Sequence, residues 1–560
     1  MRTNNYNNRN NNNNGFWVKK TVWFFAIVII IGGGVWWYLT SHKGAVLQKT
    51  IQMADNVLKL EKLDDSTRAK FGVIQDIANA MLVQDDVTRR YLVLLQNNLE
   101  LRPGGGFLGQ YAVVEVKNGG ILSYNIEDSN VLDSTYQSDR LLSLSLQRYL
   151  SDTKKMKFRD SNYSPNFPEN VADALHFYAL AGRDANFDGV FAVNASLFED
   201  FLTITGPITT TEKNYEEYGE FTSDGGLMKL ERVAEEPFFR SDERKACEKD
   251  LRERGVDEEH MDDLWNACIY DANGKKKKLM DHGEEVARKN ILNAIAKEMM
   301  PKLIKVDNIE PFIMMVTKNL ADKDIQLWFK DEKLQQLARN ENWTGEVDQN
   351  WDGDYVMISD ANVGALKSDF YMKRTMEYKV DFTGKSAEAN DAAVGRMVRY
   401  ITDDVKAQVM GGTFVTDLPL ATARMTYENT ATEASYFNMD YHSFTRLYVP
   451  EGSKWYVREW FEAPGLDNNV FGNKQVYGYK FDVLLGQTIP TMLQYTLPSR
   501  ITENGYKLKI QKQSGIGTIP LTVTVIGSDG KKYTKDVQFE HDMIFELKDT
   551  GGGKELVVVE

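Results

Sequence analysis

The spacing of apolar residues changes along the chain and predicts a different kind of structure in each part. Residues 22–39 are uncharged and mostly apolar, and the run is just long enough to span a bilayer. Residues 45–90 carry apolar side chains at helical spacing, which predicts a stalk of one or two amphipathic helices. Beyond Tyr91, short apolar runs alternate with helical stretches, so the pattern becomes mixed α/β.

The mixed part predicts a sheet covered by helices. Strands are predicted at 91–95, 110–117 and 121–126, and the Asn118-Gly119 pair between the last two is a strong hairpin signal. The apolar run 187–193 predicts a buried strand, with helices at 169–181 and 195–203. Strand and helix at this spacing predict an α/β domain over residues 91–375.

Two further parts complete the predicted architecture. Residues 212–286 are dense in charge, with a lysine run at 275–278, and are predicted as a helical insertion. Alternating segments such as 521–526 and 533–539 predict a β-rich, sandwich-like module over 376–560. The predicted fold class is therefore α/β: a membrane-anchored mixed sheet covered by helices, with a charged helical insertion and a C-terminal β-rich module.

The N-terminus indicates the compartment. Residues 1–20 are rich in asparagine and are predicted to be a disordered tail, and 21–40 are predicted as a transmembrane helix. Basic residues precede the helix, so the positive-inside rule places the tail in the cytoplasm and the bulk of the chain outside it. The alternative is a cleaved signal peptide, although the apolar run is long for one and no A-x-A site follows.

Composition narrows the function classes. The net charge of −14 and the pI of about 5.2 argue against a general nucleic-acid binder, which needs a basic face. No set of His and Cys residues has zinc-ligand spacing. Cys247 and Cys268 both lie in the charged insertion, and outside the cytoplasm they are predicted to form a disulfide. Two free buried thiols are the alternative.

The clearest candidate site is the polar, glycine-rich corner at 96–109. Glycines let backbone N–H groups converge on one point, and an arginine can donate two parallel hydrogen bonds to phosphate oxygens. The residues predicted to bind an anion are therefore Arg102, Asn98, Gly105 and Gly106. The alternative is a tight connection in which Arg102 pairs with Glu100 or caps carbonyl groups.

Two segments resemble a calcium-binding loop in the spacing of their acidic and amide residues. Asp184 to Gly189 and Asp348 to Gly353 have acid or amide groups at positions 1, 3 and 5 and glycine at position 6. Neither has the acid expected at position 12, where Ala195 and Ser359 stand. Asx-rich turns are therefore favoured over Ca²⁺ binding.

Several stretches resemble one bacterial family. LVLLQNNLELRPGGGFLGQYAVVEVKNGGI, SPNFPENVADALHFY, DANVGALKSDFYMKR and KLKIQKQSG are similar to the domain-of-unknown-function 4012 family, over about 45–540. The first half of that family is distantly similar to the LytR-CpsA-Psr phosphotransferases. Those membrane-anchored enzymes move glycopolymers from a polyprenyl-pyrophosphate carrier to the cell wall.

The resemblance implies roles for particular residues. Arg102 and Arg288 would face the lipid pyrophosphate, while Asp128 and Asp133 would be the catalytic candidates, with Asp128 holding Mg²⁺. The expected function is binding, and transfer, of a polyprenyl-phosphate-linked glycopolymer at the cell membrane, with the carrier or a cell-wall polymer as partner. The chain lacks the Arg-Ser-Asp-Thr and Pro-Arg-Asp motifs of those enzymes. A non-catalytic envelope scaffold, or a surface-layer or adhesion component, is therefore the alternative.

Overall fold

The computed structural model describes most of the chain after residue 64. The described residues are 65–150, 154–210, 218–239, 294–295, 298–299, 302–303, 308–386, 399–401, 414–434, 437–459, 465–551 and 553–559. The predicted transmembrane helix, Arg288, Cys247 and Cys268 lie outside them. Among the helices within these ranges, none is long and apolar enough to cross a membrane.

The α/β unit is built on a five-stranded mixed sheet in the order β3-β2-β1-β4-β5. β1 and β4 are parallel and the other neighbours are antiparallel. The strands are β1 (Arg89–Arg102), β2 (Gly105–Lys117), β3 (Gly120–Asp128), β4 (Gly189–Asn194) and β5 (Ile325–Phe329). The helices described with this unit are α1 (Asp65–Met81), α2 (Ser129–Asp133), α3 (Leu144–Tyr149), α4 (Phe167–Leu180), α5 (Leu197–Thr205), α6 (Gly226–Phe239), α7 (Ile309–Ala321) and α8 (Glu332–Asn340).

Helices cover both faces of this sheet, because β1 is apolar on both faces. Successive side chains of a strand point to opposite faces. Leu92 and Leu94 pack with Phe177 of α4 on one face. Val93 and Leu95 pack with Phe201 of α5 on the other. The continuous apolar run predicted as a buried strand is therefore buried on both sides.

The sandwich unit consists of two seven-stranded mixed sheets that share one core. One sheet has the order β19-β18-β7-β11-β16-β13-β9 and the other β14-β15-β12-β6-β17-β20-β21. A separate two-stranded pair joins β8 and β10. The strands are β6 (Asp354–Asn362), β7 (Met372–Asp381), β8 (Lys385–Ser386), β9 (Arg399–Ile401), β10 (Phe414–Val415), β11 (Leu420–Asn429), β12 (Tyr441–Pro450), β13 (Lys454–Glu459), β14 (Asn469–Phe471), β15 (Lys474–Val483), β16 (Thr488–Thr496), β17 (Lys507–Ile510), β18 (Ile519–Ile526), β19 (Lys532–Phe539), β20 (Met543–Asp549) and β21 (Lys554–Val559).

The structure confirms a mixed α/β architecture with a β-rich C-terminal part. The first sandwich strand begins at Asp354, before the start near 376 that the sequence predicted for the β-rich module. Alternation in β7 explains why its outer positions look polar: Met376, Tyr378 and Val380 face the core, and Glu377 between them is exposed.

One strand belongs to both units. In the β1–β2 ladder Asn97 pairs with Phe107 and Leu101 pairs with Gly106, so the three residues between Asn97 and Leu101 form a bulge. Leu99 packs in the α/β core, whereas Leu101 packs in the sandwich core. The end of β1 therefore carries the chain from one core into the other.

Candidate functional site

Arg102 is buried, and its guanidinium donates hydrogen bonds to other residues of the chain. Its side chain is 7% exposed and Nη2 donates to Glu100 Oε1 at 2.5 Å. Nη1 donates to the carbonyl oxygens of Leu101, at 3.2 Å, and of Asn362 on β6. The ring of Phe107 lies 5.7 Å from the guanidinium carbon. This geometry corresponds to the alternative in which Arg102 pairs with Glu100 and caps carbonyl groups.

The glycines beside Arg102 are tightly enclosed. A Cβ atom on Gly105 would lie 2.0 Å from Gln96 Oε1 and 2.5 Å from Asn194 Oδ1, and one on Gly106 would lie 2.1 Å from the backbone of Asn97. Gly105 also has φ of +138°, which favours glycine. The N–H of Gly106 donates to Gln96 Oε1 at 3.1 Å. These positions therefore require glycine for close packing.

The segment packed against these glycines comes from the far end of the chain. Asn98 Nδ2 donates to the carbonyl oxygen of Gly515 at 3.2 Å, and Asn194 Nδ2 donates to Ser514 Oγ at 3.1 Å. Gln513 Nε2 donates to the carbonyl oxygen of Arg102 at 3.0 Å. The corner predicted as an anion site therefore connects the α/β unit to the sandwich unit.

Asp128 and Asp133 lie at the two ends of α2. Asp128 caps the helix, because its Oδ1 accepts the N–H of Asn130 at 2.7 Å. Asp133 is buried; its Oδ1 accepts from Phe158 N and Tyr136 Oη, and its Oδ2 accepts Arg159 Nε at 2.8 Å. Their predicted roles in catalysis and Mg²⁺ binding stay predictions.

The strand register keeps Arg102 and Asp128 apart. Arg102 pairs with Gly105 of β2, and Asp128 pairs with Gln110 of the same strand. Gly105 and Gln110 are five positions apart along β2, which is roughly 16 Å between their backbones at the rise of an extended strand. The two side chains also have different partners, because Arg102 donates to Glu100 and to the carbonyl oxygen of Asn362, while Asp128 caps α2. The structure therefore brings Arg102, Asn98, Gly105 and Gly106 together and leaves Asp128 at a different position along the sheet.

The two calcium-like loops are bonded to basic side chains. Asp184 Oδ2 accepts Arg90 Nη1 at 2.8 Å, and Asp188 Oδ2 accepts the N–H of Arg90 at 2.7 Å. Asp348 Oδ2 accepts Lys509 Nζ at 2.6 Å, while its Oδ1 accepts the N–H groups of Asn350 and Trp351. Both loops have the Asx-turn geometry that the sequence favoured. Within the described ranges no three His, Cys, Asp or Glu side chains could hold a metal ion together.

A cleft of about 430 Å³ opens between the two units, and we call it the Asn98 cleft. One wall is the β1 bulge, with Asn98 and Leu99. The other walls are the start of β7 at 372–375, the segment 515–520 and Glu428 of β11. Of the residues that the sequence singled out, Asn98 is the one that lines this cleft.

The basic groups of the cleft differ in their partners. Arg374 is buried; it donates to Asp360 at 3.1 Å, to Asp369 at 2.7 Å and to Tyr441 Oη at 2.9 Å. Lys373 is exposed, and its side chain forms no hydrogen bond or ion pair with any residue that the structure describes. Lys373 was not predictable as a site residue, because a single lysine in an alternating strand is typical of a solvated face.

Burial shifts the ionisation of several groups near the junction of the units. Burial raises the pKa of Asp160 to about 6, although a hydrogen bond from Lys157 N and the charges of Arg159 and Arg102 oppose the shift. Burial lowers the pKa of Lys323 and of Lys512, and Asp542 opposes the shift in both. Lys323 Nζ lies 2.7 Å from Asp542 Oδ1, so that ammonium is paired within the chain.

Comparison with known proteins supports the resemblance over one part of the chain. Residues 86–223, about a quarter of the sequence, match the family described as "Protein of unknown function (DUF4012)". The resemblance to that family is confirmed over these residues, which include the β1 bulge and the glycine corner. No curated protein matches the chain.

Two solved structures are similar to part of the chain. They are protein gbs0355 from Streptococcus agalactiae and the Lin1025 protein from Listeria innocua. Each is 12% identical with a TM-score of 0.20, and each match covers 46% of this chain. The matches cover 74% of the first protein and 81% of the second.

Proposed function

We propose that the chain is a non-catalytic cell-envelope protein, anchored by residues 21–40, whose extracytoplasmic part is a scaffold of two joined units. The proposal rests on one observation: the glycine-rich corner at 96–109, which lies within the family-matched residues, connects the two units. Arg102 contacts Glu100 and the carbonyl oxygen of Asn362, and Gln513 contacts the carbonyl oxygen of Arg102. A guanidinium that is bonded in this way has few donors left for a lipid phosphate.

The candidate catalytic acids support the same proposal. Mg²⁺ needs carboxylate oxygens that can enter its coordination shell. Both oxygens of Asp133 accept hydrogen bonds from Arg159, Tyr136 or Phe158. Asp128 uses Oδ1 to cap α2. Both carboxylates therefore have structural partners within the chain.

A transfer assay on the full-length protein tests the proposal. The protein in lipid nanodiscs is given a polyprenyl-pyrophosphate-linked glycan, Mg²⁺ and a cell-wall acceptor. We expect no more product than in nanodiscs without protein. The non-catalytic function would be overturned if the wild type transfers glycan above that background and the variant Asp128→Asn does so at least about 100-fold more slowly.

A second function, binding of a polyprenyl-phosphate-linked glycopolymer, is favoured by the position of Asn98. This predicted ligand residue lines a cleft that is large enough for a small polar group. Native mass spectrometry of the membrane-extracted protein tests it: a bound polyprenyl phosphate that is lost in Asn98→Ala supports the function. The function would be excluded if the extracted protein carries no polyprenyl phosphate and also binds none when it is added at any Mg²⁺ concentration.

A further inference from the structure

We propose that the Asn98 cleft binds the anionic group of a small polar ligand through Lys373 and the glycine loop 515–518. The inference goes beyond the scaffold function and depends on no transfer reaction. It begins from a charge without a partner. Lys373 lines the cleft and is exposed, yet no described residue accepts a hydrogen bond from its ammonium group.

The glycine loop supplies the second part of the site. None of the backbone N–H groups of Gly515, Ile516, Gly517 and Thr518 donates to another described residue. Successive N–H groups in a glycine-containing loop are the usual components of a backbone anion nest. The loop is held in place at one end, because Asn98 Nδ2 donates to the carbonyl oxygen of Gly515. A fixed loop loses little conformational freedom when a ligand binds.

The other charges of the cleft define the ligand more closely. Arg374 is already paired with both Asp360 and Asp369, and Asp369 also accepts from Leu101 N at 2.9 Å and Asn362 Nδ2 at 2.8 Å. Lys373 is therefore the cation that remains for an anion. Glu428 lies opposite Lys373 in the β7–β11 ladder and has no partner among the described residues. A ligand that suits both carries an oxyanion beside a hydroxyl or ammonium donor.

Two compounds of this chemistry fit the cleft. A sugar phosphate carries a phosphate beside hydroxyl groups, and an amino acid carries a carboxylate beside an ammonium group. Both are small enough for about 430 Å³. Leu99 and Ile516 provide apolar wall beside the charged groups. The shared feature is the oxyanion with its neighbouring donor, and titration with each compound distinguishes the two sources.

The test is a calorimetric titration of the full-length protein with glucose 1-phosphate, alanine, and glucose as the uncharged control. We expect one of the two compounds that carry an oxyanion, glucose 1-phosphate or alanine, to bind and glucose not to bind. Lys373→Ala should weaken that binding at least about tenfold, because a charged donor is lost. Lys532→Ala is the matched control. Lys532 is exposed on the same sheet, and its partner Ile526 lies about 23 Å along β18 from the cleft residue Ile519.

A pair of variants at Gly517 tests the loop separately. A Cβ atom on Gly517 would meet nothing within 4 Å, so Gly517→Ala should bind like the wild type. Gly517→Pro removes an N–H and should weaken binding at least about threefold, with thermal unfolding as the check on folding. The proposal is overturned if neither glucose 1-phosphate nor alanine binds, or if the wild type and Lys373→Ala bind equally. Equal affinities of the two Gly517 variants would show that the glycine loop does not contribute to binding.

Discussion

Gly515 packs directly on Gly105: a Cβ atom on Gly515 would lie 2.4 Å from the carbonyl oxygen of Gly105. Both residues have positive φ, +82° for Gly515 and +138° for Gly105. The contact joins the family-matched corner of the α/β unit to the segment that leads into β18 of the sandwich unit. Asn98 reinforces it through a hydrogen bond to Gly515, 417 positions away in the sequence.

Gly515→Ala should destabilise the protein by about 2 kcal/mol or more, because the new methyl group meets backbone atoms and alanine disfavours this φ. Chemical denaturation of the full-length protein measures the effect. Gly517→Ala, two residues away and with open space around its Cβ position, is the control and should stay within about 0.5 kcal/mol of the wild type. Equal stability of the two variants would show that the Gly105 contact is not tight.

Arg374→Met should cost about 3–5 kcal/mol, because it leaves Asp360 and Asp369 buried without their cation. The matched control is Arg424→Met on the neighbouring strand β11. Arg424 lies 3.8 Å from Glu377 and is 33% exposed, so its loss should cost less than about 1 kcal/mol. Urea denaturation compares the two, and a small loss for Arg374→Met would mean that the buried network reorganises.

Asp354 should make stability depend on pH in the direction opposite to most carboxylates. Burial raises its pKa to about 6, although hydrogen bonds from Tyr506 and Tyr378 oppose the shift. A raised folded-state pKa gives stability that is complete below about pH 4 and lost as the pH rises through about 6.

Asp354→Asn removes this ionisation. Between pH 4 and pH 7 its free energy of unfolding should therefore rise relative to the wild type by roughly 2 kcal/mol. Asp529→Asn is the control: the backbone N–H of Lys531 lowers the pKa of this exposed aspartate, so its contribution changes below about pH 4 and its difference from the wild type should stay nearly constant between pH 4 and pH 7. A constant difference between Asp354→Asn and the wild type across this range would contradict a raised pKa.

Local signals were enough to predict much of the α/β unit. The apolar run after Arg90 and the Asn118-Gly119 turn predicted strands and a hairpin, and both elements are present. The length of β1 was not predictable in the same way. Gln96, Asn97 and Asn98 are polar and suggest the end of a strand, yet β1 continues to Arg102.

Those polar residues remain in a strand because their partners come from distant parts of the chain. Asn98 bonds to Gly515, and Arg102 bonds to Asn362, 260 positions away. A single sequence does not show such partners. A buried connection between two units and an open anion site would therefore look the same in the sequence. The Gly-Ile-Gly-Thr stretch at 515–518 was the available signal for the Asn98 cleft, and Lys373 gave none.

Hydrogen–deuterium exchange of Arg102→Met in the full-length protein tests most directly whether Arg102 joins the two units. Without the guanidinium, Glu100 and the carbonyl oxygen of Asn362 lose their bonds to it. The account predicts faster exchange in peptides covering 96–106, 358–362 and 511–515, with the distal hairpin around Asn118 unchanged. Unchanged exchange in all these peptides, together with an unchanged Tm, would contradict it.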